Sequence, residues 1–440
     1  MLSHEDNELL VRVGAGTPMG KLMRLYWIPF LLARDVPADG LPYRVRLLGE
    51  ELVAFRDSTG AVGLVDHACP HRGAPLQFGR NEEGGLRCVY HGWKFSVDGS
   101  CQEMPAEPEN TPMLKRVRVK AYPVQERNGV LWTYMGPDAE PPPLPSMEWN
   151  MVPPENAHVS MRIQECNWLQ ALEGEIDSAH AAFLHSRVDA GGAIGDWKQT
   201  ADLQPKFEVV QHDAGIHIAS RRKFEGDRNY IRVNQFLMPF WTLVPPFSEF
   251  PELSGHAWVP MDDEHTLCIT FSYHPAQPFY AKTKKLMKEG HKGRETGHHS
   301  EVAYEKRAVN EPYHTYWSRY SRANAYGFNE ELHAVYNAGF PGLWVQDAAC
   351  QSGVMPIYDR SKENLGVSDS GVARTRRVLL EAARKLATEE IRPASAQEPD
   401  KFLVRAISIM IPAGGDWMAH GRNSCRPSRA RISATSPEDP

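Results

Sequence analysis

The spacing of apolar positions changes period along the chain, and each change marks a different kind of element. Near the start, Leu9, Leu10 and Val11 follow an acidic stretch and predict a short amphipathic helix, with a second helix expected around Gly20 to Tyr26. From Tyr43 to about Tyr134 the period drops to two, in runs such as YRVRLLG, ELVAFRD, AVGLVD, LRCVYHG and GVLWTYMG separated by Gly, Asp and Asn. Many short strands with turn residues between them predict a compact all-β domain. The segment from Pro137 to Pro145 is dense in proline and predicts a stiff linker.

Beyond it helical spacing returns. Leu169, Leu172, Ile176, Ala179 and Phe183 fall on one side of a helix predicted over Glu165 to His185. Runs between Phe207 and Phe271 alternate like strands and predict an antiparallel sheet. Phe279 to Tyr320 is polar and predicts a lid or a peripheral helical insertion, and Val372 to Leu386 is a clear amphipathic helix. After Asn423 the chain is rich in Ser, Pro and Arg and reads as disordered. The expected fold class is α+β. The expected parts are 1–40, a helical segment packing on the catalytic domain; 41–136, the small β-domain; 137–150, the linker; 151–395, the catalytic domain; and 396–440, a C-terminal extension.

Composition narrows the function classes. A formal net charge of −6 supplies no basic field for nucleic acid or an anionic membrane. No stretch approaches the ~20 apolar residues of a membrane span, and the N-terminus lacks the basic and apolar regions of a secretory signal. A reducing cytoplasm is therefore expected, and the seven cysteines need an account other than disulfides.

Two of them belong to a spacing that carries chemistry. Cys69-Pro-His71 is followed, after sixteen residues, by Cys88-Val-Tyr-His91. Two thiolates and two imidazoles suit a tetrahedral zinc or a [2Fe–2S] cluster with two histidines on one iron. A single residue between Cys and His is unusual for zinc, where two to four is typical, so the cluster is the better reading. Arg72-Gly73 and Gly92-Trp93 place both ligand pairs in Gly-containing loops, where backbone N–H groups can donate to sulfur.

A second group of residues lies in Glu-Gly-Glu-Ile-Asp177-Ser-Ala-His180-Ala-Ala-Phe-Leu-His185. On a continuous helix Asp177 and His180 share a face, with His185 at its end. Two imidazoles and a carboxylate make the facial triad of non-haem Fe(II); the bland alternative is a helix with solvent-facing His and Asp.

The segments CPHRGAPL and CVYHGWKF resemble the Rieske motif of ring-hydroxylating oxygenases, and CNWLQALEGEIDSAHAAFLH resembles the mononuclear-iron motif of their phthalate dioxygenase-like branch. The resemblance runs from about residue 1 to 390 and weakens over 280–335. It implies cluster ligands Cys69, His71, Cys88 and His91, with Trp93 beside them, and iron ligands His180 and His185. Asp177 is then not a ligand. It hydrogen-bonds a ligand histidine and bridges to the neighbouring subunit's cluster histidine, which matches His91 here. The third iron ligand falls in Trp344-Val-Gln-Asp347, with Asp359 as the less favoured alternative; the bland reading of Asp347 is a helix N-cap. Asn167 is a further candidate to face the iron, or else makes local hydrogen bonds.

The family further implies a small Rieske domain before a larger catalytic domain of START-like helix-grip type, with one [2Fe–2S] cluster and one Fe2+ per subunit. It also implies a homotrimer or stacked hexamer, a small aromatic substrate with O2, and electrons from a separate NAD(P)H-dependent reductase. Gly14-Ala-Gly16-Thr-Pro18-Met-Gly20 does not serve as a nucleotide loop, because it follows no strand and Pro18 lacks an N–H. The expected reaction is hydroxylation of a phthalate- or benzoate-like carboxylate. The alternatives are O-demethylation of a methoxylated aromatic acid, a non-catalytic Rieske electron carrier and a zinc-stabilised binding protein. Arg221, Arg222 and Arg232 are candidates to grip a substrate carboxylate, and Phe236, Phe240 and Trp241 to wall its pocket. His291, His298 and His299 read as a solvated polar stretch, and Cys101, Cys166, Cys268, Cys350 and Cys425 as buried small hydrophobes.

Overall fold

A computed structural model describes residues 2–109, 111–186, 188, 202–246, 252–289, 299, 301, 303–421 and 424–427. Its helices and antiparallel sheets form the expected α+β architecture. The helices at His4–Val11 and Pro18–Arg24 are capped by the Ser3 and Thr17 side chains, which accept from Asp6 N and Gly20 N. The second cap explains why Gly14 to Gly20 is a helix start and not a phosphate loop. Helical structure does not persist to residue 40: Trp27–Leu32 is a fully buried strand paired with Val130–Tyr134.

Between these paired strands lie two four-stranded sheets. One joins Tyr43–Leu47, Glu50–Arg56, Val62–Asp66 and Ala121–Tyr122; the other joins Arg80–Glu82, Gly85–Arg87, Lys94–Phe95 and Cys101–Glu103. Their shared small core contains Phe55, Leu76, Trp93 and Phe95, and both Cys69 and Cys88 reach into it.

The larger sheet has eight strands: β1 (Ala157–Gln164), β2 (Lys206–His212), β3 (Gly215–Phe224), β4 (Arg228–Leu237), β5 (Trp241–Val244), β6 (Leu253–Pro260), β7 (Thr266–Tyr273) and β8 (Ile407–Pro412). Their order is β1-β7-β6-β5-β4-β3-β2, with β8 pairing β4. The helices Trp168–Ile176 and Ser370–Glu389 pack against this sheet. Ala219, Ile231 and Val233 belong to a separate cluster with Ile407, Ile411, Trp417 and Cys425, so β4 is buried almost throughout.

Several expectations need correction. The 137–150 segment is no free linker: Trp27 Nε1 donates to Pro142 O (2.6 Å) and Ser146 N to Pro399 O (3.0 Å). Trp132 stacks on Trp149 and Trp241, which fuses the two halves through one aromatic core. The segment from Phe279 to Tyr320 is not simply a polar lid. It has an exposed helix at Ala281–Glu289, but Tyr313, Tyr316 and Trp317 are buried, and Tyr43 Oη lies 2.6 Å from Thr315 Oγ1. Residues 407–412 are a ladder strand, so the extension completes the sheet. Of the tail after Asn423, expected to be disordered, residues 424–427 are placed with Cys425 buried against β4, and 428–440 lie outside the described residues, as do His291 and His298. His299 is buried between Ser160 Oγ (2.8 Å) and Ser272 Oγ (2.9 Å), not solvated. Cys350 is exposed, unlike the other cysteines, because it lies one turn beyond Asp347 on the less covered side of its helix.

Candidate metal centres

Two loops of matching design carry the first group. Cys69 N donates to Ala74 O and Gly73 N to Cys69 O; Cys88 N donates to Trp93 O and Gly92 N to Cys88 O. Each loop therefore closes five residues after its cysteine, at Ala74 and Trp93, and turns on a glycine of positive φ four residues after it, +71° at Gly73 and +75° at Gly92. A Cβ at Gly92 would also lie 2.6 Å from Pro105 Cγ. These turns bring the His71 and His91 rings to 4.5 Å between centroids, and Trp93 stacks on His71 at 4.3 Å. Burial pushes the Cys69 thiol up to about 11, and the neighbouring Cys88 adds to that. His71 Nδ1 is buried and has no hydrogen-bond partner among the described residues. Two adjacent buried thiols and an orphaned imidazole nitrogen are costly alone, but they suit a cationic iron–sulfur group that takes thiolate and imidazole donors.

The second group rests on a broken helix. Trp168–Ile176 stops at Asp177 (φ −81°, ψ 112°), and a separate short helix covers Ala181–Leu184. The continuous helix expected over Glu165 to His185 is thus interrupted, because Asp177 Oδ1 accepts from Ala179 N (2.7 Å) and Oδ2 from His180 N (3.3 Å). Such local bonds compete with helix propagation. Phe183, expected on the buried side, is exposed.

His180 Nε2 and His185 Nε2 lie 3.5 Å and 3.4 Å from Asp347 Oδ1, and one donor atom from each residue falls within 4.8 Å of the others. The other ring nitrogens point away: His180 Nδ1 is 3.4 Å from Asp177 Oδ2, and His185 Nδ1 is 2.7 Å from Gln346 Oε1. Both imidazoles thereby offer Nε2 lone pairs to a common point beside a carboxylate, the donor set of a two-histidine, one-carboxylate iron site. Without a metal ion, the burial of His180 is outweighed by Asp177 and the Asp347 carboxylate, which raise its pKa to about 9; a bound cation would displace that proton and take the Nε2 lone pair. Asp347 lies inside the helix Leu343–Ser352, not at its N-cap. Gln351, on the same helix, binds it to β1 and to Trp168–Ile176 through Gln164 (2.6 Å) and Gln170 (2.8 Å).

The remaining candidates fall elsewhere. Asp359 caps a short turn by accepting from Ser361 N. Asn167 is buried at the start of its helix, accepting from Leu169 N and donating to Val11 O and Asp263 O, so it does not face the triad. Arg221 pairs with Glu208. Arg222 is fully buried and donates to Ser178 O (2.7 Å) and Ser220 Oγ (3.0 Å), clamping the residue after Asp177. Arg232 donates to Pro245 O (2.8 Å) and to Tyr230 Oη. None of these three guanidinium groups presents an open fork. Phe236, Phe240 and Trp241 belong to the main core. Sequence reasoning missed the roles of Gln346 and Arg222. The adjacency of Gln346 to Asp347 was its only available signal.

Comparison with known proteins points the same way. A family model for the Rieske [2Fe-2S] domain matches residues 26–123, and one described as LigXa C-terminal domain like matches residues 133–434. The chain is 39% identical to the oxygenase subunit of 3-chlorobenzoate-3,4-dioxygenase from Comamonas testosteroni, over 94% of this chain and 96% of that one. It is 34% identical to the phthalate 4,5-dioxygenase oxygenase subunit of Pseudomonas putida, over 95% and 94%. In fold it is similar to the oxygenase in an oxygenase–ferredoxin complex of carbazole 1,9a-dioxygenase (TM-score 0.54, 18% identity, 87% of this chain and 96% of that one).

Proposed function

The chain belongs to the Rieske ring-hydroxylating oxygenases with a LigXa-like catalytic domain, and from that premise we propose that it hydroxylates an aromatic carboxylate at an iron held by His180, His185 and Asp347. In this family the [2Fe–2S] cluster supplies single electrons and the mononuclear iron supplies O2 activation, chemistry that side chains alone do not offer. The observation that carries the reading is the convergence of two Nε2 atoms and one carboxylate oxygen on a single point.

Each residue then has a part. Cys69, His71, Cys88 and His91 hold the cluster, and Gly73 and Gly92 shape their loops. His180, His185 and Asp347 would hold the iron, which would supply the O2 activation. Asp177 keeps the His180 ring oriented and joins it to His91 of a neighbouring chain. In the family's arrangement the transfer route between them runs from one copy of the chain to the next. The exposure of Val89 and Tyr90 beside His91, and of Phe183 beside the triad, supports a homotrimer or stacked hexamer. A separate electron-transfer protein accompanies it, as the ferredoxin does in the carbazole system, and draws on NAD(P)H through a reductase. We place the chain in the cytoplasm, where its seven free cysteines would stay reduced. Among the described residues, no helix is long and apolar enough to cross a membrane.

The carboxylate preference rests on charge. Burial and the nearby charge of Arg232 lower the Arg222 pKa to about 10, so Arg222 stays cationic where it holds Ser178, the residue after Asp177. Its buried charge favours an anionic substrate without direct contact. The test is O2 consumption with a surrogate reductase, comparing benzoates and phthalates with their neutral amides. Carboxylate-dependent uptake with a hydroxylated ring product is expected, whereas release of formaldehyde marks the demethylase reaction instead. No response to any aromatic would return the chain to an electron carrier.

A further inference from the structure

Both triad histidines have a partner at Nδ1, but the partners differ in kind: a carboxylate for His180 and an amide for His185. We infer that Gln346 is a positioning residue that orients His185 and selects the tautomer presenting Nε2 to the iron. Gln346 is buried, and its Oε1 lies 2.7 Å from His185 Nδ1. With its amide oxygen facing the ring, Gln346 accepts, which places the proton on Nδ1 and leaves Nε2 its lone pair. The reverse amide orientation would place an N–H against Nδ1, putting the proton on Nε2 and closing that atom to a metal.

The helix Leu343–Ser352 makes this placement economical. Gln346 and Asp347 are consecutive, so one turn supplies a ligand and the orienting group of a second ligand. The helix is anchored at Gln351 and Ser352; the latter's Oγ is 2.7 Å from Tyr326 Oη. Movement of this helix therefore shifts Asp347 and His185 together. The amide also leaves the site's charge unchanged, while a second acidic partner would add to the negative charge of Asp177 and Asp347.

The inference rests on His185 being an iron ligand, and the experiment separates the two. Iron loss to a ferrous chelator is followed in the wild-type protein and in Gln346→Leu, with the visible absorption of the cluster as an internal control for folding. Removing an orienting partner of a ligand histidine typically costs 10–100-fold in metal affinity. Gln346→Leu is expected to weaken retention of the mononuclear iron by about tenfold or more with the cluster intact, and Gln346→Glu, which keeps an acceptor at Nδ1, to restore most of it. Retention by Gln346→Leu within about twofold of wild type overturns the inference. If the wild-type protein holds no iron beyond its cluster, the ligand reading itself fails. Should Gln346→Leu also lose the cluster absorption, Gln346→Asn carries the same test, because it keeps the amide but withdraws it by one methylene.

Discussion

Asp177 ends one helix and faces His180, so a single carboxylate both caps a loop and orients an imidazole. Asp177→Asn can keep the bond from Ala179 N to Oδ1, but it replaces the Oδ2 acceptor facing His180 with a donor and removes the charge. It is expected to leave both metals bound, by iron analysis, and to reduce substrate-dependent O2 uptake to near background. Uptake at the wild-type rate would remove Asp177 from the transfer route. At this scale the sequence was most informative about residue types, because thiolate, imidazole and carboxylate at fixed spacing admit few chemistries. It was least informative about Arg222 and Gln346. Arg222 looks like a substrate anchor on a half-exposed strand, and only the fold reveals that Ser178 O lies 2.7 Å from its guanidinium.

Helices bring the two halves of the iron site together, and their own fastening is a buried ion network. Glu173 on Trp168–Ile176 pairs with Arg376 of Ser370–Glu389 at 2.6 Å and with Arg360 at 3.1 Å, and both arginines are almost fully buried. Burial opposes the Glu173 carboxylate, but the two guanidinium charges outweigh it and hold its pKa below the ordinary value. Glu173→Gln leaves two buried charges less compensated and is expected to cost about 3 kcal/mol in urea unfolding at pH 7, the lower end because Glu363 still pairs with Arg376. A carboxylate whose pKa is depressed on folding contributes fully above its unfolded value, about 4.3, and loses that contribution as pH falls through the folded value. The gap between wild type and variant should therefore stay constant near neutrality and shrink in acid. A gap that widened in acid would exclude this role. Periodicity located these helices but not the break at Asp177, since local side-chain capping leaves no trace in the spacing of Leu169, Leu172 and Ile176.

Across the whole molecule, the order of small β-domain and larger sheet was legible from the change of period, whereas its seams were not. A proline-dense segment reads as a spacer, yet Trp132, Trp149 and Trp241 stack around it into a common core. Long-range contact of this kind is not encoded in local pattern, and the same holds for Ile407–Pro412 closing onto β4. The central claim is that each chain holds a cluster and, separately, a mononuclear iron on His180, His185 and Asp347. The most direct test is the iron and acid-labile sulfide content of the wild-type protein and of His185→Ala. About three iron and two sulfide per chain are expected in the first, and about two of each in the second. A wild-type chain with two iron, or a variant that still held three, would contradict the account.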